Sequence, residues 1–149
     1  MNDEKVQAQL VQLTTVIETA PADSAEYFQA GRQYQKLLFA HMTLREYEFI
    51  TQNVTHELTL ADEARLITAA AQGKMLSQVV DLNEDAQIAY QLRWLRKKKQ
   101  LTQTEVAAQV GMTQSQIAKI ERAQVEVSLL RLRRLLQAVC GDLEWRVVS

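Results

Sequence analysis

Pro21 is the only proline in the chain, and glycine stands only at positions 31, 73, 111 and 141. A chain of 149 residues with so few turn-forming residues has little room for β-turns or loose linkers. The intervening segments are rich in Ala, Leu, Gln, Glu, Lys and Arg, which lose little on entering a helix. The expected fold class is therefore all-α. The length suits one domain, or one domain with a substantial helical extension. At 47% hydrophobic and 23% charged residues, the composition is that of an ordinary folded protein.

Several function classes find no support in the residues. Cys140 is the single cysteine, lies on an apolar stretch and is read as a buried, inert thiol. No C-x-x-C or H-x-x-x-H pairing is present, so no metal site or cofactor is expected. His41 and His56 have no Ser, Cys or carboxylate at a telling spacing and read as structural or surface histidines. No nucleophile, phosphate loop or metal cluster suggests an enzyme. No apolar run approaches the ~18 residues of a membrane span. The acidic start "MNDEKVQAQL" lacks a signal-peptide core, so no membrane partner and a cytoplasmic location are expected.

Charge divides the chain. Residues 1–85 hold 6 Lys/Arg against 13 Asp/Glu, and residues 86–149 hold 11 against 5. The basic half suits a polyanion, because phosphate contacts supply most non-specific DNA affinity. The acidic half would be repelled by a duplex and should point away from it, leaving a surface for a basic partner.

Helical periodicity then places the elements. Val6, Leu10, Leu13 and Ile17 form one stripe, which "TAPADS" ends. A second helix is expected over about 25–42, with Tyr27, Tyr34, Leu37, Leu38 and His41 on or near its apolar side. Thr43 with Glu46 opens a third helix as a capping box, and Thr59 caps a fourth that ends at Gly73. Ile88, Leu92 and Leu95 give a helix from Ala86 to Lys99, with Asp85 as its cap. Thr102 with Glu105 caps the next, in which Ala107 and Ala108 let another helix cross closely. Gly111 supplies the tight turn, and Thr113 caps a helix of about nine residues whose Ile117 and Ile120 point inward. Ser128 begins a last helix, with Leu129, Leu132, Leu135, Leu136 and Val139 on its inner stripe. "LEWRVVS" then reads as a short strand, with Leu143, Trp145 and Val147 on one face.

The stretch "LTQTEVAAQVGMTQSQIAKIE" resembles the helix-turn-helix of the XRE-type domain of phage Cro and repressor proteins, and the resemblance covers residues 86–141. It carries the Leu-Thr-Gln-x-Glu opening, the turn glycine and the closing Ile-Glu of that family. The expected organisation is an acidic helical domain over 1–81 for dimerisation or partner binding, a four-helix XRE-type domain over 86–141, and a dimer-forming strand over 142–149. The resemblance implies that the second motif helix lies in the major groove with its first residues at base edges. Those residues are Thr113, Gln114, Ser115 and Gln116. Gln pairs bidentately with adenine, and Ser or Thr bonds several bases. Thr113 and Ser115 also suit helix capping. The resemblance further gives Gln103 a phosphate, Lys119 and Arg122 a base or phosphate, and Arg96 with Glu121 a structural salt bridge. Lys97, Lys98 and Lys99 suit phosphates or a solvated helix end. The chain departs from the family at "AQVEV", where Ala123 replaces a common Gly, Val127 replaces a common Pro, and basic residues are missing.

The functional expectation is a transcriptional repressor that reads a palindromic operator in double-stranded DNA as a homodimer. A type II antitoxin, whose acidic half binds a basic toxin protein, is one form of it. The alternative is a protein-bridging co-regulator that uses the same fold for protein contacts.

Overall fold

The computed structural model describes residues 2–140. Leu143, Trp145 and Val147, and with them the expected strand and its dimer contact, lie outside the described residues. The chain divides into two compact units, residues 1–82 and 83–149. Each is helical among the described residues.

The first unit is built from α1 (Asp3–Thr19), α2 (Ala25–Leu38), α3 (Leu44–Asn53) and α4 (Leu60–Ala71), followed by a short 3-10 turn, Leu76–Gln78. α1 packs against both α2 and α4. Its Val6 and Leu10 meet a core that includes Ala30, Leu38, Ile50, Leu66 and Ile67. α2 ends four residues before the expected position. Thr43 must be extended to cap α3, and it is, at φ −79° and ψ 156°. The helix stops at Leu38 with Phe39 as its C-cap, and Met42 is buried outside any helix.

α4 is buried on nearly every side and carries two buried carboxylates, Asp62 and Glu63. Asp62 accepts the Thr59 N–H at 2.9 Å, and also bonds His56 Nε2 at 3.2 Å and the Arg65 guanidinium. The Thr59 backbone bond is the main influence holding its acidity above the ordinary range, that is, its pKa low. His56 thus has a carboxylate partner that sequence spacing did not reveal. Glu63 accepts the hydroxyls of Tyr34 and of Tyr47, the latter at 2.8 Å, while burial pushes its pKa up. Tyr34, expected on or near the apolar side of its helix, and Tyr47 both place their hydroxyls on this carboxylate.

The second unit comprises α5 (Glu84–Lys98), α6 (Gln103–Val110), α7 (Gln114–Glu121) and α8 (Leu129–Cys140). Its core is Leu92, Val106, Ala107, Ile117, Ile120, Leu135 and Val139. Three expectations need correction. α5 starts at Glu84 with Asn83, not Asp85, as its cap, because the Asn83 side chain reaches the Ala86 N–H at 2.9 Å. Ala108 is exposed, so close helix crossing rests on Ala107. Leu129 is 75% exposed, and the inner stripe of α8 begins at Leu132, which packs on the core. Cys140 is half-buried, and burial raises its thiol pKa.

The three turns that join or follow the short helices share one device. Gln100 (φ 59°), Gly111 (φ 69°) and Ala123 (φ 57°) are each left-handed. In each turn the next residue's N–H returns to the preceding helix: Leu101 to Arg96, Met112 to Ala107, and Gln124 to Lys119. Only Gly111 is a residue that adopts this conformation without strain. Ala123→Gly is expected to stabilise this unit by about 1 kcal/mol. Both tryptophans, Trp94 and Trp145, fall in this unit, so denaturant unfolding followed by tryptophan fluorescence reports it selectively. A lowered or unchanged midpoint would contradict the strain.

Candidate nucleic-acid interface

α7 is only eight residues long, too short to persist by propensity alone. Packing and capping hold it. Ile117, Ala118, Ile120 and Glu121 are buried, whereas Thr113, Gln114, Ser115 and Gln116 are all exposed. The helix therefore offers one turn of uncharged polar side chains to solvent from a fixed backbone.

These four side chains are not equivalent. Thr113 and Gln116 form a reciprocal capping box, in which Thr113 Oγ1 accepts the Gln116 N–H at 3.1 Å and Gln116 Oε1 accepts the Thr113 N–H at 2.9 Å. The Gln116 carbonyl is thus engaged, and bidentate pairing with adenine would break its cap. Gln114 is differently held. Its Nε2 donates to Gln103 Oε1 at 2.6 Å, and its own carbonyl and second N–H have no further partner among the described residues. Ser115 is exposed between them.

Gln103 opens α6 and links this surface to the interior. Its Nε2 donates to Glu121 Oε1 at 3.1 Å. Glu121, 6% exposed, also takes Arg96 Nε on Oε2 at 2.7 Å and Arg96 Nη2 on Oε1 at 2.8 Å. Arg96 Nη1 donates to the Leu101 carbonyl at 2.8 Å, which ties the α5–α6 turn to the same pair. The structure thus brings together Arg96, Gln103, Gln114 and Glu121 in one chain of hydrogen bonds. Sequence reasoning paired Arg96 with Glu121 but gave Gln103 and Gln114 separate roles, and it missed the two bonds of Gln103. The available signal was a glutamine at the first position of both motif helices.

The cations surround this turn more loosely. Lys119 is exposed on α7, and Arg122 is its exposed C-cap. Lys97, Lys98 and Lys99 are exposed at the end of α5, with the Lys98 ammonium 4.8 Å from the centre of the Trp94 ring. Among the described residues, no group of three or more His, Cys, Asp or Glu is placed to hold a metal ion. No helix among them is long and apolar enough to cross a membrane.

Comparison with known proteins agrees with this geometry. Residues 92–139, about a third of the chain, match the family described as Helix-turn-helix. No curated protein and no solved structure is significantly similar to the chain. The match supports an XRE-type helix-turn-helix regulator, and the coarse function that follows is DNA binding in transcription regulation. The family is a DNA-binding one and not an enzymatic one.

The stability of this unit should be sensitive to breaking the Arg96–Glu121 pair. Removing one member leaves a buried charge unpaired, at a cost of about 3–5 kcal/mol. Glu121→Leu and Arg96→Met are each expected to lose about that much in fluorescence-monitored denaturation, and the double variant less than either. Losses that simply add would show that the pair is not coupled.

Proposed function

We propose that this protein is a transcriptional repressor that sets the N-terminal turn of α7 in the major groove of its operator. The observation that carries the reading is Gln114, exposed at the first position of α7 and held on Gln103, with no further partner among the described residues for its carbonyl and one N–H. That is the donor–acceptor pair a glutamine needs at a base edge. Thr113, Ser115 and the Gln116 amide add adaptable contacts, and Gln103, Lys119 and Arg122 serve the flanking phosphates. Repression follows from occupying a promoter. A protein-bridging role would leave this preset polar turn without a purpose.

The repressor works as a homodimer on a palindrome, with half-sites about one helical turn, roughly 34 Å, apart. Exposed Val125, Leu129 and Leu130, at 42%, 75% and 59%, support association, because the described residues leave these large apolar side chains uncovered. Leu143, Trp145 and Val147 remain candidate dimer contacts from the sequence pattern. The antitoxin form of the proposal draws on the first unit, where residues 1–82 carry 6 Lys/Arg against 11 Asp/Glu. That charge suits a basic toxin. Co-expression with the neighbouring gene product should then yield a complex that survives purification, and its absence would leave a stand-alone regulator.

A gel shift with DNA from upstream of the protein's own gene tests the central reading. Gln114→Ala should weaken specific binding on the order of ten- to a hundredfold. Arg122→Ala should weaken all sequences alike and reduce the salt slope by about 1. An unaltered shift with Gln114→Ala would remove this helix turn from the interface. Light scattering should show a dimer, and a monomer both with and without DNA would contradict the palindrome.

A further inference from the structure

We infer that the groove between α1 and α2 in the first unit is self-complementary, and that a second copy of this chain occupies it across a two-fold axis. The inference rests on the homodimer reading and gives that dimer a contact outside the DNA-binding unit.

The groove encloses about 640 Å³. Its floor is apolar, made by half-buried Leu13, Val16 and Leu37 with buried Ala30. Leu13 and Val16 stand three residues apart on α1, and Ala30 and Leu37 seven apart on α2, so each pair shares one face of its helix. The walls are polar. Gln9 and Gln12 rise from α1, and Gln29 and Gln33 from α2, all exposed. Among the described residues, Glu26 and Lys36 are the only charged ones in the lining, and both are exposed. None of these six polar side chains has a polar partner among the described residues.

The arrangement of the walls selects the occupant. A basic partner calls for acidic walls, but here one negative charge is matched by one positive. Glu26 and Lys36 are ten residues apart on α2, which places them about 15 Å apart along its axis. An isologous contact requires that residue i meet residue j of the second copy and that j meet i. With two copies of α2 antiparallel and the axis at the level of residue 31, Glu26 meets the partner's Lys36. The same register sets Gln29 against the partner's Gln33. Opposite charges then close both ends of the contact. Between them, glutamine amides pair with one another, since each carries a donor and an acceptor. One opposing influence is the excess of negative charge over residues 1–82, 6 Lys/Arg against 11 Asp/Glu. Salt screens such repulsion beyond about 8 Å, whereas the two charge pairs meet at contact distance.

The experiment is sedimentation equilibrium of the full chain as wild type, Glu26→Lys, Lys36→Glu, the double variant, and Arg32→Glu. Glu26→Lys and Lys36→Glu each set like charges together twice per dimer. Each should raise the dimer dissociation constant on the order of tenfold. The double variant exchanges the two ends and should return the constant close to wild type. An equimolar mixture of the two single variants should pair more tightly than either alone, because one copy then carries Lys at both positions and the other Glu. Arg32→Glu makes the same charge change as Lys36→Glu on an exposed position of α2 outside the lining, and should leave the constant unmoved. Two results overturn the inference while leaving the homodimer reading intact. One is a wild-type dimer that neither single reversal weakens. The other is weakening that neither the mixture nor the double variant recovers. A wild type that is monomeric both with and without operator DNA overturns the homodimer reading, and the inference with it.

Discussion

The Arg96–Glu121 ion pair is the interaction on which the DNA-binding unit depends. It joins the end of α5 to the end of α7, and through the Leu101 carbonyl it also fixes the turn into α6. α6 and α7 have eight residues each and would not persist alone. A buried pair of this kind is costly to desolvate and contributes geometry more surely than stability. Here the geometry is directional. The remaining acceptor capacity of Glu121 is aimed at Gln103, so an interior charge is coupled to the polar turn at the surface.

How much of this was legible depended on whether the cause was local. Thr43 with Glu46, Thr59, Thr102 and Thr113 announced four helix starts, because a cap is written within four residues. Ile117 and Ile120 announced the buried face of α7 by spacing. Gly111 announced its turn because only glycine adopts φ 69° freely. Where the cause lay elsewhere in the chain, the sequence was silent. Tyr34 and Tyr47 reach Glu63 across three different helices. Leu129 fits the α8 stripe by period yet stays 75% exposed. For the site, residue types and their place on α7 were readable. The bonds that distinguish Gln114 from Gln116 were not, because they depend on how α6 crosses α7.

The loop after α7 is where the chain parts from the family it resembles. Ala123 accepts a left-handed backbone that glycine would take without strain. Beyond it, Val125 is exposed where the family often carries basic residues. The proposed reading accordingly expects fewer phosphate contacts from this loop. On the proposed reading, affinity comes from Lys119, Arg122 and the arginines of α8, or from pairing two reading units on one operator. The first unit is acidic in sum, with 6 Lys/Arg against 11 Asp/Glu over residues 1–82, although two of those carboxylates, Asp62 and Glu63, are buried in α4.

The most direct test is a nuclear magnetic resonance titration of the 15N-labelled full chain with its upstream operator, following backbone amides and glutamine side-chain NH2 groups. The account predicts the largest changes at Gln103 and residues 113–116, with residues 1–82 nearly unmoved. Changes confined to residues 1–82 or to the arginines of α8, with 113–116 unmoved, would contradict it.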